Sequence, residues 1–143
     1  MKLSLTKLYR FSASHRLHSP ELSEEENQQM YGKCNNPYGH GHNYVVEVTV
    51  TGPVNSQTGM IANLGELDPF VEREVVEGSD QKYLNEEVPE FRVSVPTTEN
   101  VTREIFRRLK SFPAATLERV RIQETSNNSF EYDGSDELAT SSQ

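Results

Sequence analysis

Apolar and polar residues alternate from Leu3 to Ala13, with Leu3, Leu5, Tyr9, Phe11 and Ala13 on one parity, which predicts a strand with one covered face. The alternation returns at His40. There His40, His42, Tyr44, Val46, Val48 and Val50 share one face, Asn43, Glu47, Thr49 and Thr51 share the other, and Gly52-Pro53 ends the strand. After a short apolar run at Met60-Ile61-Ala62, the spacing of Leu64, Leu67, Phe70, Val71 and Val75 predicts a helix closed by Gly78. Pro69 fits it best at the first helical position after an Asp68 cap, or else marks a kink. Val101, Ile105, Leu109 and Phe112 form the stripe of a second helix, capped by Thr97 or Thr98 and stopped by Pro113. Leu117 to Gln123 and Ser129 to Tyr132 are strands around a tight turn at Ser126-Asn127-Asn128.

The order β-β-α-α-β-β predicts an α+β domain over residues 1–132, a four-stranded antiparallel sheet with two helices on one face. Its two edge strands are a liability unless another subunit covers them. The segment from about His18 to Gly39 is polar and irregular, although Glu21 to Asn27 can form one helical turn; a connection of that length is functional or disordered. The small polar tail, 133–143, is expected to be disordered.

Composition narrows the classes. A chain of 143 residues can bury one core, but at 34% hydrophobic it is lean enough to gain stability from subunit contacts. A net charge of −8 argues against nucleic acid or an anionic membrane as partner, and leaves room for a small anionic substrate held by local cations. No apolar run approaches the roughly 20 residues of a membrane span. The N-terminus lacks a signal-peptide core and the single cysteine, Cys34, cannot form an internal disulfide, so a reducing cytoplasm is the expected compartment.

Half of the four histidines stand in the stretch YGHGHNY. Positions i and i+2 of a strand project to one face, so His40 and His42 can aim two imidazole nitrogens into one small volume. A catalytic zinc centre usually takes three protein ligands and keeps one position open. The third could come from His15, at the end of the first strand on the parity of Phe11 and Ala13, or from His18 in the loop beyond. Against this stands the plainer reading of a surface H-x-H pair. Cys34, six residues before His40, is either a base or nucleophile activated as a thiolate by nearby positive charge, or an inert buried thiol.

FSASHRL (Phe11–Leu17), GKCNNPYGHGHNY (Gly32–Tyr44), TGMIANL (Thr58–Leu64), VPTTENV (Val95–Val101) and QETSNNSFEY (Gln123–Tyr132) occur in that order. Together they closely resemble the 6-pyruvoyl tetrahydropterin synthase family. The resemblance covers about Tyr9 to Tyr132. The related 6-carboxy-tetrahydropterin synthases share the fold and starting substrate but serve queuosine biosynthesis, and HRLHSPELSEEEN looks more like the pyruvoyl enzymes. The resemblance implies the tunnelling fold: two helices inserted between the second and third strands, three sheets joined into a barrel, and two trimers stacked as a homohexamer with interfacial active sites. It implies Zn2+ on His15, His40 and His42, with His18 demoted to the loop. It further implies Cys34 as catalytic base, Glu124 as anchor of the pterin ring, and Thr97, Thr98 and Glu99 as lining of the pterin pocket. Without it, Glu124 would be taken as a solvated strand carboxylate paired with Arg119 or Arg121.

The family's substrate is 7,8-dihydroneopterin triphosphate, from which triphosphate is eliminated while the side chain becomes a diketone, with no nicotinamide or flavin. Lys33, Arg16 and Lys82 are available to hold the phosphates. One position departs from the pattern. An aspartate–histidine pair is expected in a DHKxLN-like segment, but this chain reads Asp80-Gln81-Lys82-Tyr83-Leu84-Asn85. An amide can mimic one imidazole hydrogen bond but cannot take up and release a proton near neutral pH. The expectations are therefore a slowed pyruvoyl-type lyase of tetrahydrobiopterin synthesis, a carboxy-tetrahydropterin synthase or other side-chain cleavage, or a pterin-binding protein without turnover.

Overall fold

In the computed structural model, which describes residues 3–135, the chain builds one five-stranded sheet in the order β3-β1-β2-β4-β5. The long strands are β1 (Leu3–His15), β2 (His40–Gly52), β4 (Thr116–Thr125) and β5 (Asn128–Tyr132), paired antiparallel. The expected four-stranded antiparallel sheet therefore needs correction. A two-residue strand, β3 (Lys82–Tyr83), pairs parallel with Ala13 and Ser14 on the outer side of β1. So short a strand leaves no periodicity for a sequence reading to find.

Between β1 and β2 the acidic piece grows into α1 (Glu24–Tyr31). A reciprocal cap starts it: Glu26 N donates to Ser23 Oγ and Ser23 N donates to Glu26 Oε1. A 3₁₀ turn, Gly32–Asn35, then carries Cys34. The first predicted helix starts where its apolar spacing does, at Leu64, with Asn63 as its cap, so of the two readings of Pro69 the kink holds and the Asp68 cap does not. It runs as α2 (Leu64–Val71), widens through a π turn at Glu72–Val76 and ends as α3 (Glu77–Ser79). Pro69 thus lies inside the helix, and the wide turn follows directly, as expected where a ring interrupts the i to i−4 ladder. Asp68 has another task. Its carboxylate accepts from Lys7 Nζ at 2.8 Å and Tyr9 Oη at 2.7 Å, tying the helix to β1.

After α4 (Leu84–Glu87), α5 (Thr98–Leu109) starts at the Thr97 cap, whose Oγ1 accepts from Asn100 N, and carries Arg107 and Arg108 in its last turn, where the helix dipole favours cations. Its buried stripe, Val101, Ile105, Phe106 and Leu109, packs with Leu67, Val71 and Val75 onto Phe11, Tyr44, Val46, Val48, Val120 and Ile122 of the sheet. Each large side chain so buried contributes about 1.5–3 kcal/mol. Among the described residues the other sheet face has no helix over it, and Leu8 remains 44% exposed. Gly134 adopts φ +78°, and a Cβ there would stand 2.7 Å from the Phe106 ring. The rest of the tail, from Asp136, lies outside the described residues.

Candidate active site

The β1–β2 register puts His15 opposite His40, Ala13 opposite His42 and Phe11 opposite Tyr44. His15, His42 and Tyr44 consequently crowd the helix-covered face at one end of the sheet. The His15 and His42 ring centres are 4.9 Å apart, and those of His40 and His42 are 4.8 Å apart. His15 is fully buried, and its Nδ1 donates to the Pro96 carbonyl at 2.9 Å. That bond fixes the tautomer: the proton sits on Nδ1 and Nε2 presents a lone pair. Nε2 of His15 and Nε2 of His42 are both buried without a hydrogen-bond partner.

Cys34 completes a tight group. Its turn is held against the end of β1 by Leu17 N donating to the Cys34 carbonyl at 2.7 Å and Asn35 Nδ2 donating to the Leu17 carbonyl at 2.8 Å. One ligand atom from each of His15, Cys34 and His42 lies within 4.8 Å of the other two. His40 is exposed and stands outside that group, beside His42. Glu124 of β4 closes the far side. Thr98 Oγ1 donates to its Oε2 at 2.5 Å, while its Oε1 is 3.0 Å from His42 Nε2 without hydrogen-bond geometry. A cation seated there would meet both the imidazole nitrogen and the carboxylate. Two orphaned imidazole nitrogens, a thiol and that carboxylate form a donor set that suits a borderline-soft divalent ion.

The electrostatics agree. Burial, against the pull of the Pro96 carbonyl, holds the His15 imidazole below its ordinary range. Burial does the same to His42 despite the Glu124 charge. Both shifts favour the neutral ring, the form that ligates metals. Burial pushes the Cys34 thiol up, and the Glu124 carboxylate adds to the effect. Of the two readings of Cys34, the activated thiolate and the inert buried thiol, both influences favour the protonated thiol. The nearby charge is negative.

The sequence model of the 6-pyruvoyl tetrahydropterin synthase family matches residues 4–135. The chain belongs to this family. A 6-pyruvoyl tetrahydrobiopterin synthase of Poecilia reticulata is 48% identical over 131 residues, covering 91% of this chain and 89% of the relative. The Homo sapiens protein of the same name is 49% identical over 125 residues, covering 87% of this chain and 86% of the relative. The solved structure of Caenorhabditis elegans 6-pyruvoyl tetrahydropterin synthase superposes with a TM-score of 0.88 at 40% identity, covering 94% of this chain and 96% of that one.

Within this family frame, the motif residues separate. In the Thr97-Thr98-Glu99 segment, Thr97 caps α5, Thr98 is buried on Glu124, and Glu99 is exposed in the first helical turn. Asp80 and Gln81 do not join Cys34 within one chain. Asp80 Oδ1 accepts from Ser12 N at 2.9 Å, and Gln81 N donates to the Ser12 carbonyl at 2.6 Å. Gln81 lines a cleft of about 460 Å³ with Ser12, Ser14, Gly41 and Asn43, and His42 and Ala13 also stand in its wall, whereas His15 and Cys34 do not. Two parts of the site escape a sequence reading. Tyr44, with Oη 3.3 Å from His15 Nδ1, shares the parity of the histidine pair and was open to notice. Pro96 acts through a backbone carbonyl, which leaves no signal in residue type.

Proposed function

We propose that this chain is a zinc-dependent lyase of tetrahydrobiopterin synthesis that converts 7,8-dihydroneopterin triphosphate to 6-pyruvoyl tetrahydropterin with release of triphosphate. The observation that carries the reading is the pair of buried, unpartnered Nε2 atoms of His15 and His42 converging on the Cys34 thiol. By the family resemblance, His40, exposed beside His42, would join His15 and His42 in holding the metal in place of Cys34, and Pro96 fixes His15. Bound there, zinc supplies a Lewis acid for the substrate's side-chain oxygens and a positive charge that favours the Cys34 thiolate. Cys34 takes a proton from a hydroxyl-bearing carbon of the side chain. Glu124, oriented by Thr98, accepts from the 2-amino group and adjacent N–H of the pterin ring as a charge-assisted pair, with Thr97 and Glu99 flanking the ring. Residues 1–132 act as one domain in the cytoplasm; no helix among the described residues is long and apolar enough to cross a membrane.

The working form is a homohexamer, two stacked trimers whose sheets join into a barrel. Support comes from the sheet face without helices, with Leu8 exposed on it, and from the outer side of β1, which pairs only at Ala13 and Ser14 among the described residues. It also comes from the separation of Asp80 and Gln81 from Cys34, since a neighbour's copies can then complete the site. Gln81 favours a second reading, a pterin binder without turnover. The test is to measure bound metal and analyse products by mass spectrometry. We expect about one zinc per chain, lost in His15→Ala and His42→Ala, and a pyruvoyl product with free triphosphate. Cys34→Ala should keep the metal and lose turnover. A carboxy product would place the chain with the queuosine enzymes, and tight pterin binding with no product, even after Gln81→His, would make it a binder.

A further inference from the structure

The sequence offers three cations for a phosphate chain, and the fold sends each to a different cleft. Lys82 lines the 460 Å³ cleft, whose wall includes the Glu87 carboxylate. Lys33 lines one of about 480 Å³ in which His40 is the only other basic side chain. Arg16 lines a third, of about 290 Å³, together with His18 and Arg92, and no carboxylate residue is in its wall. In a protein of net charge −8, that concentration is against the general trend. We propose that this third cleft seats the polyphosphate chain of the substrate. The inference rests on the synthase reading and adds the position of the leaving group to it.

The side chains are prepared for an anion. Arg16 is anchored through Nε to the Asn35 carbonyl at 3.2 Å, and Arg92 through Nε to the Glu86 carbonyl at 2.9 Å. In both, a backbone oxygen takes the Nε proton and the terminal nitrogens remain for a ligand. Neither guanidinium has an ion-pair partner among the described residues. Asn35 Nδ2 donates to the Leu17 carbonyl at 2.8 Å and meets His18 Nδ1 at 3.2 Å. An amide nitrogen can only donate, so His18 Nδ1 is the acceptor and its Nε2 is left for a ligand. Planar guanidinium forks suit phosphate oxygens, which accept two parallel N–H bonds from each. One carboxylate is felt at the rim: burial and then Glu86 push the Tyr83 hydroxyl up, and Arg16 opposes them.

The cleft also abuts the reacting centre. Pro96, one of its lining residues, bonds His15 through its carbonyl, and Arg16 follows His15 in the chain. The oxygen that anchors Arg16 belongs to Asn35, next to Cys34. A phosphate chain here would extend from a side chain lying between Cys34 and His15.

Calorimetric titration of inorganic triphosphate into the zinc-loaded protein tests this. Arg16→Gln and Arg92→Gln should each weaken binding about tenfold or more, equivalent to about 1.4 kcal/mol, while Lys33→Gln and Lys82→Gln stay within about twofold. Affinity for unphosphorylated dihydroneopterin should not change. Arg92→Gln serves as the second variant because Arg16 also steadies the Cys34 turn, and unfolding curves check both. Unchanged triphosphate binding in both arginine variants, a loss confined to a lysine variant, or an equal loss for dihydroneopterin would overturn the assignment. Arginine-dependent triphosphate binding in a protein without turnover would refute the synthase reading and leave the cleft standing. Turnover without arginine dependence would do the reverse.

Discussion

Gln81 combines a side chain that cannot shuttle protons with a backbone at φ 60°, where residues other than glycine are uncommon. The conformation is imposed from both sides, by Gln81 N on the Ser12 carbonyl and by the Asp80 carboxylate on Ser12 N. Histidine is among the residue types enriched at positive φ, so Gln81→His asks nothing new of the backbone. We expect that variant to raise kcat with little change in KM, by a factor within the roughly 10²–10⁴ that general acid–base help supplies. Steady-state kinetics on dihydroneopterin triphosphate check it, and an unchanged kcat would mean that another group already moves the proton. The histidine pair and His15 were legible because strand alternation is a strict period of two. The sign of the field at Cys34 was not, because Glu124 reaches it from a strand ninety residues away in the chain.

Strand β1 and helix α2 meet through Asp68, and the tie depends on pH. Hydrogen bonds from Lys7 and then Tyr9 hold the Asp68 carboxyl below its ordinary value, while burial pushes weakly the other way. A depressed folded-state pKa means that the stabilisation is complete above the unfolded value, about 3.9, and is lost as pH falls through the folded one. Asp68→Ala should lower Tm at pH 6–7, and the gap to the unaltered protein should close as the pH drops below about 4; thermal melts across that range test the sign. A gap independent of pH would locate the effect in packing. A second element contact is steric. Gly134→Ala drives a methyl into the Phe106 ring at a left-handed φ, and overpacking of this kind costs about 1–3 kcal/mol, measurable as a lower urea midpoint. Sequence patterning located the long strands and both main helices, since their apolar periods run over many residues. It missed β3, which spans only Lys82–Tyr83, and it left Pro69 open between a first-turn position and a kink, which the Asn63 cap, with its Oδ1 accepting from Gly65 N, decides for the kink.

At the scale of the whole molecule, position 81 stands apart from the thiol. His15, Cys34 and His42 gather under the helices, whereas Gln81 opens into a cleft whose wall includes His42 but neither His15 nor Cys34. Within one chain the Gln81 backbone is tied to Ser12 rather than to the Cys34 turn. If neighbouring subunits supply each other, a helpful side chain in one protomer should act on the thiol of the next. A chain carrying both Cys34→Ala and Gln81→His has no base of its own and should be inactive alone. Mixed with unaltered chains by unfolding and reassembly, it should raise the activity per intact Cys34, because some intact thiols would then face an imidazole donated across the interface. The gain should grow with the fraction of double-variant chains and should vanish when the two preparations are combined without reassembly. Were each site built from one chain, activity per intact Cys34 would stay constant at every ratio, and the barrel of shared sites would have to be abandoned even if the protein proved hexameric.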